Sequence, residues 1–460
     1  MTPRRSAAGP RLFAVLVLIA LPLGRSPFAC PLRTVALDNG LTVSICPDPS
    51  TRLVATEVWY HVGSAQEDSG SRGLAHLFEH LMFGATDDYD GEAFSRHHDR
   101  NGGYENAYTT PDETVYVSVI APEHHDRVLE MEAQRMRGLR LSESDLEREK
   151  DVVAEELRLT TENDPLTRAY VTALAAMLGD HPYAVSPVGT KEEIAAATLG
   201  ACRAFYDEHY QPGNAHLVIS GRVDPERTLD VVRRRFGPIP AGGQAPPDVP
   251  VLTDWPFPGE TLLEEDLPPV EIAVIGFALP PADSPDHAAA LLLQQILAGS
   301  EIDPVREDLV TRRNKALEAG IEVLQLRRAG ALLFYSAQLP YRRRATAFRL
   351  MDQTRQRLAE LEWLTDETVS AARKRLLRRE AARVFRADLR AESLGRAHWW
   401  YGDASAALDF ARRIEAVERN EIVHVFRRFV LEVEPVRLYI KPERVPLYIR
   451  LFGWLAPLIS

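Results

Sequence analysis

The spacing of apolar residues along the chain predicts two folded units of one design. The strand-like stretch Leu53–Val62 leads into a run with helical periodicity, Gly73–Phe83, and the strand-like stretch Val270–Leu279 leads into the helical run Asp286–Ala298. Further strands and then paired helices follow in each half. We therefore predict an α+β fold of two homologous domains, each an antiparallel sheet with helices packed on one face.

Internal similarity supports this repeat. The segment His76–Gly84 overlays Leu291–Gly299 at a constant offset of 215 positions, and Leu141–Glu149 overlays Leu364–Ala372 at an offset of 223. Because the halves are related, functional residues that are present in one half and replaced in the other can be identified by comparing equivalent positions.

A proline-rich stretch separates the halves. The segment Gly237–Glu260 contains seven prolines and no long apolar periodicity, which is typical of an extended connector. We expect a first domain over residues 31–236 and a second over residues 261–444, with distinct segments at residues 1–30 and 445–460.

The first thirty residues resemble an export signal. Arginines between positions 4 and 11 precede the apolar run Leu12–Leu23, which is short for a membrane-spanning helix. An uncleaved anchor is the alternative. Ala29-Cys30 only partly resembles a lipoprotein cleavage site, because Pro27 stands where leucine is expected. We expect an exported protein, either periplasmic or membrane-associated.

The last sixteen residues, Val445–Ser460, are unusually apolar. Arg450 and Pro457 interrupt them, and the segment is too short to span a bilayer. Contact with a membrane surface, docking on a partner and packing against the chain's own domain all remain open.

Composition narrows the functional classes. With 54 basic and 66 acidic residues the net charge is −12, and the 45% hydrophobic and 26% charged content is ordinary for a soluble globular protein. Nothing favours a nucleic-acid binder. The three cysteines, Cys30, Cys46 and Cys202, are too few for a disulfide framework, and the sequence does not decide whether Cys46 and Cys202 pair.

The candidate chemistry begins in the first predicted helix. His76 and His80 lie one turn apart on one helical face, with Glu79 beside them. Two such imidazoles bind a single zinc ion, and an adjacent carboxylate can activate a water molecule. The alternative, two surface histidines, is disfavoured by apolar flanks that would partly bury the segment.

A second helix, Glu147–Leu157, offers a third ligand. Glu149, Val152, Val153 and Glu156 share one face, and we expect the two valines to turn that face toward the core. The alternative is a charged surface helix. In the second half the counterparts of the candidate residues cannot replace them: they are Leu291, Gln294, Gln295, Ala372 and Arg379.

With these motifs in place, the chain resembles the pitrilysin/insulinase family of zinc peptidases with the inverted His-x-x-Glu-His motif, in the short form similar to mitochondrial processing peptidase. The likeness extends from Leu37 to Pro442. It rests on segments in family order: Leu37–Leu41, Val62–Ser64, Phe83–Thr86, Gly103–Thr109, His181–Tyr183, Gly189-Thr190, Phe205-Tyr206, Tyr210–Ala215 and Phe236–Pro240.

The resemblance implies a role for each candidate. His76, His80 and Glu156 match the ligands of one Zn²⁺ per chain; Glu79 matches the general base, and Glu149 a catalytic-site carboxylate that orients the ligands. Asn106 and Ala107 match an edge strand on which a peptide substrate binds as an added strand. The implied function is a zinc metalloendopeptidase acting on extended or unfolded peptides. The alternative is a noncatalytic scaffold subunit of the same family.

This sequence departs from the family pattern at the residues that an opposing half contributes to the active site. The family's active sites are completed by an Arg and, seven residues on, a Tyr from an opposing half. Here Arg312 is followed at that spacing by Ala319 and Arg313 by Gly320, while Tyr335 lies downstream and off register. We expect a homo- or heterodimer in which a metal-free homologue supplies the Arg–Tyr pair.

Two adjacent histidine pairs are weaker candidates. His97-His98 and His124-His125 diverge by about 100° on a helix and chelate a metal poorly, so we expect them on the surface.

Overall fold

The computed structural model describes residues 30–243, 247–252, 255, 259–299, 303–340 and 343–447. Residues 1–29 of the predicted leader or anchor, residues 1–30, lie outside the described residues, as do residues 448–460 of the apolar C-terminal segment. None of the described helices combines the length and the apolar character needed to cross a membrane.

The first domain contains six strands and eight α-helices in the described chain. The strands are β1 (Arg33–Ala36), β2 (Thr42–Pro47), β3 (Val54–Tyr60), β4 (Tyr104–Thr109), β5 (Thr114–Ile120) and β6 (Ala215–Gly221). The helices are α1 (Leu74–Leu81), α2 (Ala93–Arg100), α3 (Pro122–Arg137), α4 (Glu143–Leu157), α5 (Pro165–Leu178), α6 (Lys191–Ala196), α7 (Leu199–His209) and α8 (Pro225–Phe236).

The second domain has five strands and seven α-helices among the described residues. The strands are β7 (Glu260–Glu265), β8 (Glu271–Leu279), β9 (Glu318–Gln325), β10 (Gly330–Gln338) and β11 (Val436–Pro442). The helices are α9 (His287–Leu297), α10 (Pro304–Arg306), α11 (Arg344–Leu358), α12 (Asp366–Val384), α13 (Ala387–Tyr401), α14 (Phe410–Ala416) and α15 (Arg419–Phe426).

The two sheets share the order of five strands, and β1 is an additional edge strand of the first sheet; this confirms the predicted pair of α+β domains. Strand order is β1-β2-β6-β3-β5-β4 in the first sheet and β7-β11-β8-β10-β9 in the second. The prediction of purely antiparallel sheets is wrong for one pair in each, because β6 runs parallel to β2 and β11 runs parallel to β7. In both pairs the chain crosses the whole domain before returning, and such a crossover permits parallel pairing, whereas a tight hairpin does not.

Each sheet has helices of its own domain on one face, as predicted, and a helix of the other domain covers its second face. On its second face the first sheet packs against α13 of the second domain, where Trp59 and Val218 join Ala391 and Leu394 in one buried cluster. The contact is close: a Cβ at Gly395 would lie 2.2 Å from the Trp59 indole. Every residue of β3 is buried, and a strand that is apolar on both sides requires cover on both sides.

The second sheet is covered in the same way by the first domain. Helix α5 occupies the position in the first domain that α13 occupies in the second, and its Ala173 and Met177 pack against Val274 and Leu438. The two domains therefore exchange equivalent helices, and α5, which follows α4, connects the candidate metal site to the second sheet.

Two predictions about polar side chains change. Cys30 forms a disulfide with Cys46 on β2 and Cys202 is free and buried, so Cys46 and Cys202 do not pair and Cys30 belongs to the folded chain. His98 and His125 are buried rather than exposed, and their Nε2 atoms lie 2.6 and 2.8 Å from hydroxyls of the first sheet. Since adjacent helical residues point in different directions, one histidine of each pair faces the sheet.

Candidate metal centre

Helix α1, which carries the two candidate histidines, begins at a glycine that the local geometry requires. Gly73 has a φ of +79°, in the left-handed region, and a Cβ there would lie 2.6 Å from Ile194. The Glu67 carboxylate accepts hydrogen bonds from the backbone N–H groups of Gly73 and Ala75, each at 2.8 Å. Glu67 therefore satisfies donors that a helix start leaves unpaired and fixes the position of α1.

The three predicted metal ligands converge. His76 Nε2 lies 3.7 Å from Glu156 Oε1, and His80 Nε2 lies 3.4 Å from Glu156 Oε2. One candidate ligand atom from each of the three residues falls within 4.8 Å of the others. His76 is buried, whereas His80 and Glu156 are only partly buried, so the cluster lies at the protein surface with one side open.

Helix α4 presents Glu156 to α1. It begins at Ser142, whose hydroxyl accepts the Asp145 N–H at 3.2 Å, a regular N-cap. The neighbouring Glu155 is exposed and pairs with Arg158, so helical geometry selects Glu156. Val153 is fully buried, but Val152 is 46% exposed, which corrects the prediction that both valines face the core.

Glu149, the second predicted acid of α4, lies beside the cluster. Its Oε2 is 3.7 Å from Nδ1 of His80, the ring nitrogen opposite the one that faces Glu156. Arg148 donates a hydrogen bond to the other carboxylate oxygen of Glu149 at 3.1 Å. A carboxylate on the far nitrogen of a ligand histidine fixes the ring's tautomer and orientation.

Glu79, the predicted general base, is held by a residue that the sequence analysis missed. The Thr109 hydroxyl donates to Glu79 Oε2 at 2.7 Å. Thr109 is the last residue of β4, which is the edge strand of the first sheet and pairs only with β5 among the described strands. Its membership in the segment Gly103–Thr109 was the only sequence signal, because the contact depends on how β4 packs against α1.

The predicted substrate-binding residues lie on this same edge strand. Asn106 is exposed and pairs in register with Val117, and Ala107 is buried opposite Tyr116. None of the described strands pairs with the outer edge of β4, and this strand ends at Thr109, next to Glu79.

Burial dominates the electrostatics around α1. It lowers the pKa of His76, against the opposing effect of the Glu79 and Glu156 charges, and so favours the neutral imidazole that binds metals. Burial also raises the pKa of Glu67 to about 8, although its two backbone N–H partners favour the ionised form.

The donor set fits zinc. Two imidazole nitrogens and one carboxylate are the three protein ligands of many catalytic zinc sites, which keep a fourth position open. His76 Nδ1 is buried without a hydrogen-bond partner in the described part of the chain. A cavity of about 780 Å³ adjoins His80 and Glu149, and it is lined by charged side chains of both signs, among them Arg96, Arg148 and Asp145.

The second domain repeats the two helices without their donors. Helices α9 and α12 pack together as α1 and α4 do. Ala372, which corresponds to Glu149, is fully buried, and Gln294, which corresponds to Glu79, accepts a hydrogen bond from Gln325. The described residues contain one potential metal cluster, and it lies in the first domain.

The segment that lacks the family's Arg–Tyr spacing has an unexpected arrangement. Arg312 and Arg313 both contact the buried carboxylate of Asp308, at 3.0 and 3.2 Å. Gly320 pairs in register with Tyr335 on the neighbouring strand, and the Tyr335 hydroxyl lies 2.9 Å from where a Gly320 Cβ would be. Tyr335 is off register along the sequence but adjacent to position 320 in the sheet.

Comparison with known proteins agrees with this architecture. The description "Insulinase (Peptidase family M16)" matches residues 42–184, and "Peptidase M16 inactive domain" matches residues 196–376. The zinc protease PqqE of Helicobacter pylori is 26% identical over 443 residues, which cover 94% of this chain and 98% of PqqE. An uncharacterized zinc protease of Mycobacterium tuberculosis is 25% identical and covers 93% of this chain and 94% of its own.

Solved structures show the same fold. A protease from Helicobacter pylori superposes with a TM-score of 0.80 at 23% identity and covers 90% of this chain and all of its own. A peptidase M16 inactive domain from Pseudomonas fluorescens gives 0.75 at 15% identity over 90% of this chain and 98% of its own. Together, the two matched domains, the conserved topology and the position of the metal-ligand cluster place this chain in the insulinase family of peptidases, M16.

Proposed function

We propose that this chain is a zinc-dependent peptidase that hydrolyses extended or unfolded peptides and forms the metal-bearing subunit of a dimer. The observation that carries the proposal is the convergence of His76, His80 and Glu156, with Glu79 next to them and the edge strand β4 alongside. A scaffold subunit has no need for this combination.

His76, His80 and Glu156 would hold the zinc. When bound, zinc supplies Lewis-acid chemistry that polarises a peptide carbonyl and makes water a better nucleophile. Glu149 supports His80 from the opposite side of its ring. Thr109 keeps the Glu79 carboxylate in one orientation, so that it is ready to accept a proton.

Glu79 carries out the proton transfers. It takes a proton from the attacking water, whose oxygen bonds to the carbonyl carbon, and it passes that proton to the amine nitrogen as the C–N bond breaks. The free edge of β4 binds the substrate backbone through main-chain hydrogen bonds, which favours extended peptides of varied sequence.

The test is a metal and cleavage assay on purified protein without residues 1–29. We expect about one zinc per chain. With a metal-free homologue added, we expect cleavage of unstructured fluorogenic peptides that chelation abolishes and zinc restores. Absence of zinc, or cleavage unaffected by chelation, would contradict the proposal. The alternative, a noncatalytic assembly subunit, predicts no cleavage with or without a partner.

Export is part of the same proposal. The Cys30–Cys46 disulfide favours an oxidising compartment, and the structurally similar PqqL of Escherichia coli is described as a periplasmic protease. A disulfide-bonded Cys30 is also not available for lipid attachment, so we propose a periplasmic or otherwise exported protein whose leader is removed before Cys30.

The partner remains a proposal of its own. In the described chain Arg312 and Arg313 are held by Asp308, and the residue seven positions after each is Ala319 or Gly320 rather than a tyrosine. We propose that a second subunit, a metal-free homologue, supplies the Arg–Tyr pair.

A further inference from the structure

An apolar groove runs between the two domains, away from the metal centre. It has a volume of about 570 Å³ and lies beside the contact between α5 of the first domain and the sheet of the second. Apolar side chains from α5, from the loop after β7 and from the sheet line it, including Leu174, Met177, Leu267, Val270, Ile272 and Leu333. We call this cavity the α5 groove.

The rim of the α5 groove exposes large apolar side chains. Leu166 is 60% exposed, Tyr170 is 44% exposed and Leu317 is 56% exposed. Apolar residues grouped around a cavity are a feature of binding surfaces, whereas isolated exposed leucines are not. These features indicate that the groove binds an apolar segment or ligand.

The charge in the groove is of one sign. Among the residues that line it, Glu318 and Glu322 are the only charged ones, and both lie on the edge strand β9. They are four positions apart on the strand, an even number, and therefore face the same side of the sheet. An occupant that matches this surface is apolar along its length and carries a positive charge where it meets β9.

The chain leaves the second domain at the other end of this groove. Ile440 on β11 lines the groove. Strand pairing of β11 with β7 ends at Pro442, which lies opposite Glu265. The next residue, Glu443, donates its N–H to the Glu265 carbonyl at 2.9 Å, two positions before the groove residue Leu267. The last described residue, Leu447, is 70% exposed.

The C-terminal segment has the chemistry that the groove requires. Residues 445–460 are mostly apolar, and Arg450 is their only charged residue. From β11 to β9 the groove crosses three strand spacings, about 14 Å. The seven residues from Glu443 to Arg450 can span up to about 24 Å, so Arg450 can reach the two glutamates.

We propose that residues 445–460 dock in the α5 groove of their own chain, with Arg450 paired to Glu318 and Glu322. A docked segment covers the exposed rim and contacts α5 of the first domain and the sheet of the second at once. It would therefore hold the two domains together, and this inference does not depend on the proposed peptidase activity.

Cysteine cross-linking tests the docking directly. In the protein without its leader, Leu451→Cys is combined with Leu317→Cys at the rim, or with Phe385→Cys, which is 81% exposed and lies outside the groove. Cys202 is buried and Cys30 is already paired with Cys46. After mild oxidation at micromolar concentration we expect an intramolecular disulfide with position 317 and none with position 385.

Charge exchange tests the proposed pairing. Arg450→Glu should reduce the yield of the 317–451 disulfide severalfold, and Glu318→Arg with Glu322→Arg should restore it. The matched control is Glu415→Arg, at an exposed residue of α14, which should restore nothing.

Three results would overturn the proposal. Disulfides formed only between two chains would show that a second copy binds the segment. Sedimentation with phosphatidylglycerol vesicles that requires residues 448–460, without cross-linking to position 317, would assign the segment to a membrane. Equal cross-linking to positions 317 and 385 would show no preferred site.

Discussion

His80 Nε2 lies 3.4 Å from Oε2 of Glu156, across the packed helices α1 and α4. This contact distinguishes Glu156 from its neighbour in the sequence, Glu155. Glu155 is exposed to solvent and pairs with Arg158. The packing of the two helices thus brings one carboxylate of an acidic run to the two histidines as the third candidate metal ligand.

The first prediction uses this pair of neighbours. Glu156→Gln removes the charged ligand and should lower bound zinc from about one ion per chain to well below stoichiometric, because zinc sites of this kind need three protein ligands. Glu155→Gln is the matched control and should retain zinc. Metal analysis after dialysis measures both; equal zinc contents in the two variants would exclude Glu156 as a ligand.

The second prediction concerns Thr109, whose hydroxyl donates to Glu79 Oε2 at 2.7 Å. A hydrogen bond to a charged group contributes about 1.5–3 kcal/mol. Thr109→Val should therefore lower kcat about ten- to a hundredfold, with zinc content and KM little changed, since it alters the orientation of the base. Thr109→Ser keeps the donor and should restore most of kcat. If Thr109→Val raises KM and leaves kcat unchanged, or if Thr109→Ser does not restore kcat, Thr109 has a purely structural role.

The third prediction concerns the partner. If a metal-free homologue supplies the Arg–Tyr pair, cleavage by the purified chain alone should be weak. Cleavage per chain should rise when such a homologue is added and fall again when the mixture is diluted. Tyr335→Phe should then leave the partnered rate unchanged. Loss of activity in Tyr335→Phe would instead assign the tyrosine to a second copy of this chain, since its hydroxyl already lies over Gly320. Strong hydrolysis undiminished by dilution would contradict any dimer requirement.

The fourth prediction concerns acid stability at the domain interface. His61 is partly buried, with its Nε2 atom inaccessible to solvent, and its ring stacks on Trp399 of α13, 3.8 Å between centroids. Burial, together with the nearby charges of His398 and Arg327, lowers the His61 pKa to about 3. The unfolded chain, with a histidine pKa near 6.5, then binds a proton that the folded chain does not, so stability decreases as the pH falls from about 6.5 toward 3.

Removing this histidine isolates its contribution. His61→Phe keeps a ring against Trp399 but does not titrate, so its stability relative to wild type should rise by about 1 kcal/mol per pH unit between pH 6 and 4. Urea unfolding of metal-stripped protein measures this, which avoids confusion with zinc loss. His424→Gln, at an exposed histidine, is the control and should show no such trend; a trend as large as that of His61→Phe would contradict the assignment.

The sequence predicted local features well. The four-residue spacing of His76 and His80 and the helical phase of Glu156 follow from helix geometry alone, and the repeat correctly indicated two domains with one topology. Contacts between elements were not predictable in the same way. The Thr109 hydrogen bond, the Tyr335 hydroxyl over Gly320 and the exposure of Val152 depend on how strands and helices pack.

The largest difference between the sequence-based prediction and the structure is the exchange of helices α5 and α13 between the domains. Periodicity shows that β3 has no polar face but does not identify what covers it. The cover comes from α13, more than three hundred residues later in the chain, and Gly395 allows its approach to Trp59. Single-residue patterns carry no information about such distant partners.

The most direct test of the account is a comparison of zinc content and turnover in Glu79→Gln. The variant keeps the ligands His76, His80 and Glu156 and removes only the proposed base, so it should bind zinc like wild type while kcat falls by about two to four orders of magnitude. His80→Ala, as the companion variant, should lose the metal. Wild-type turnover by zinc-loaded Glu79→Gln would contradict the central claim that Glu79 is the base of a peptide-hydrolysing zinc centre.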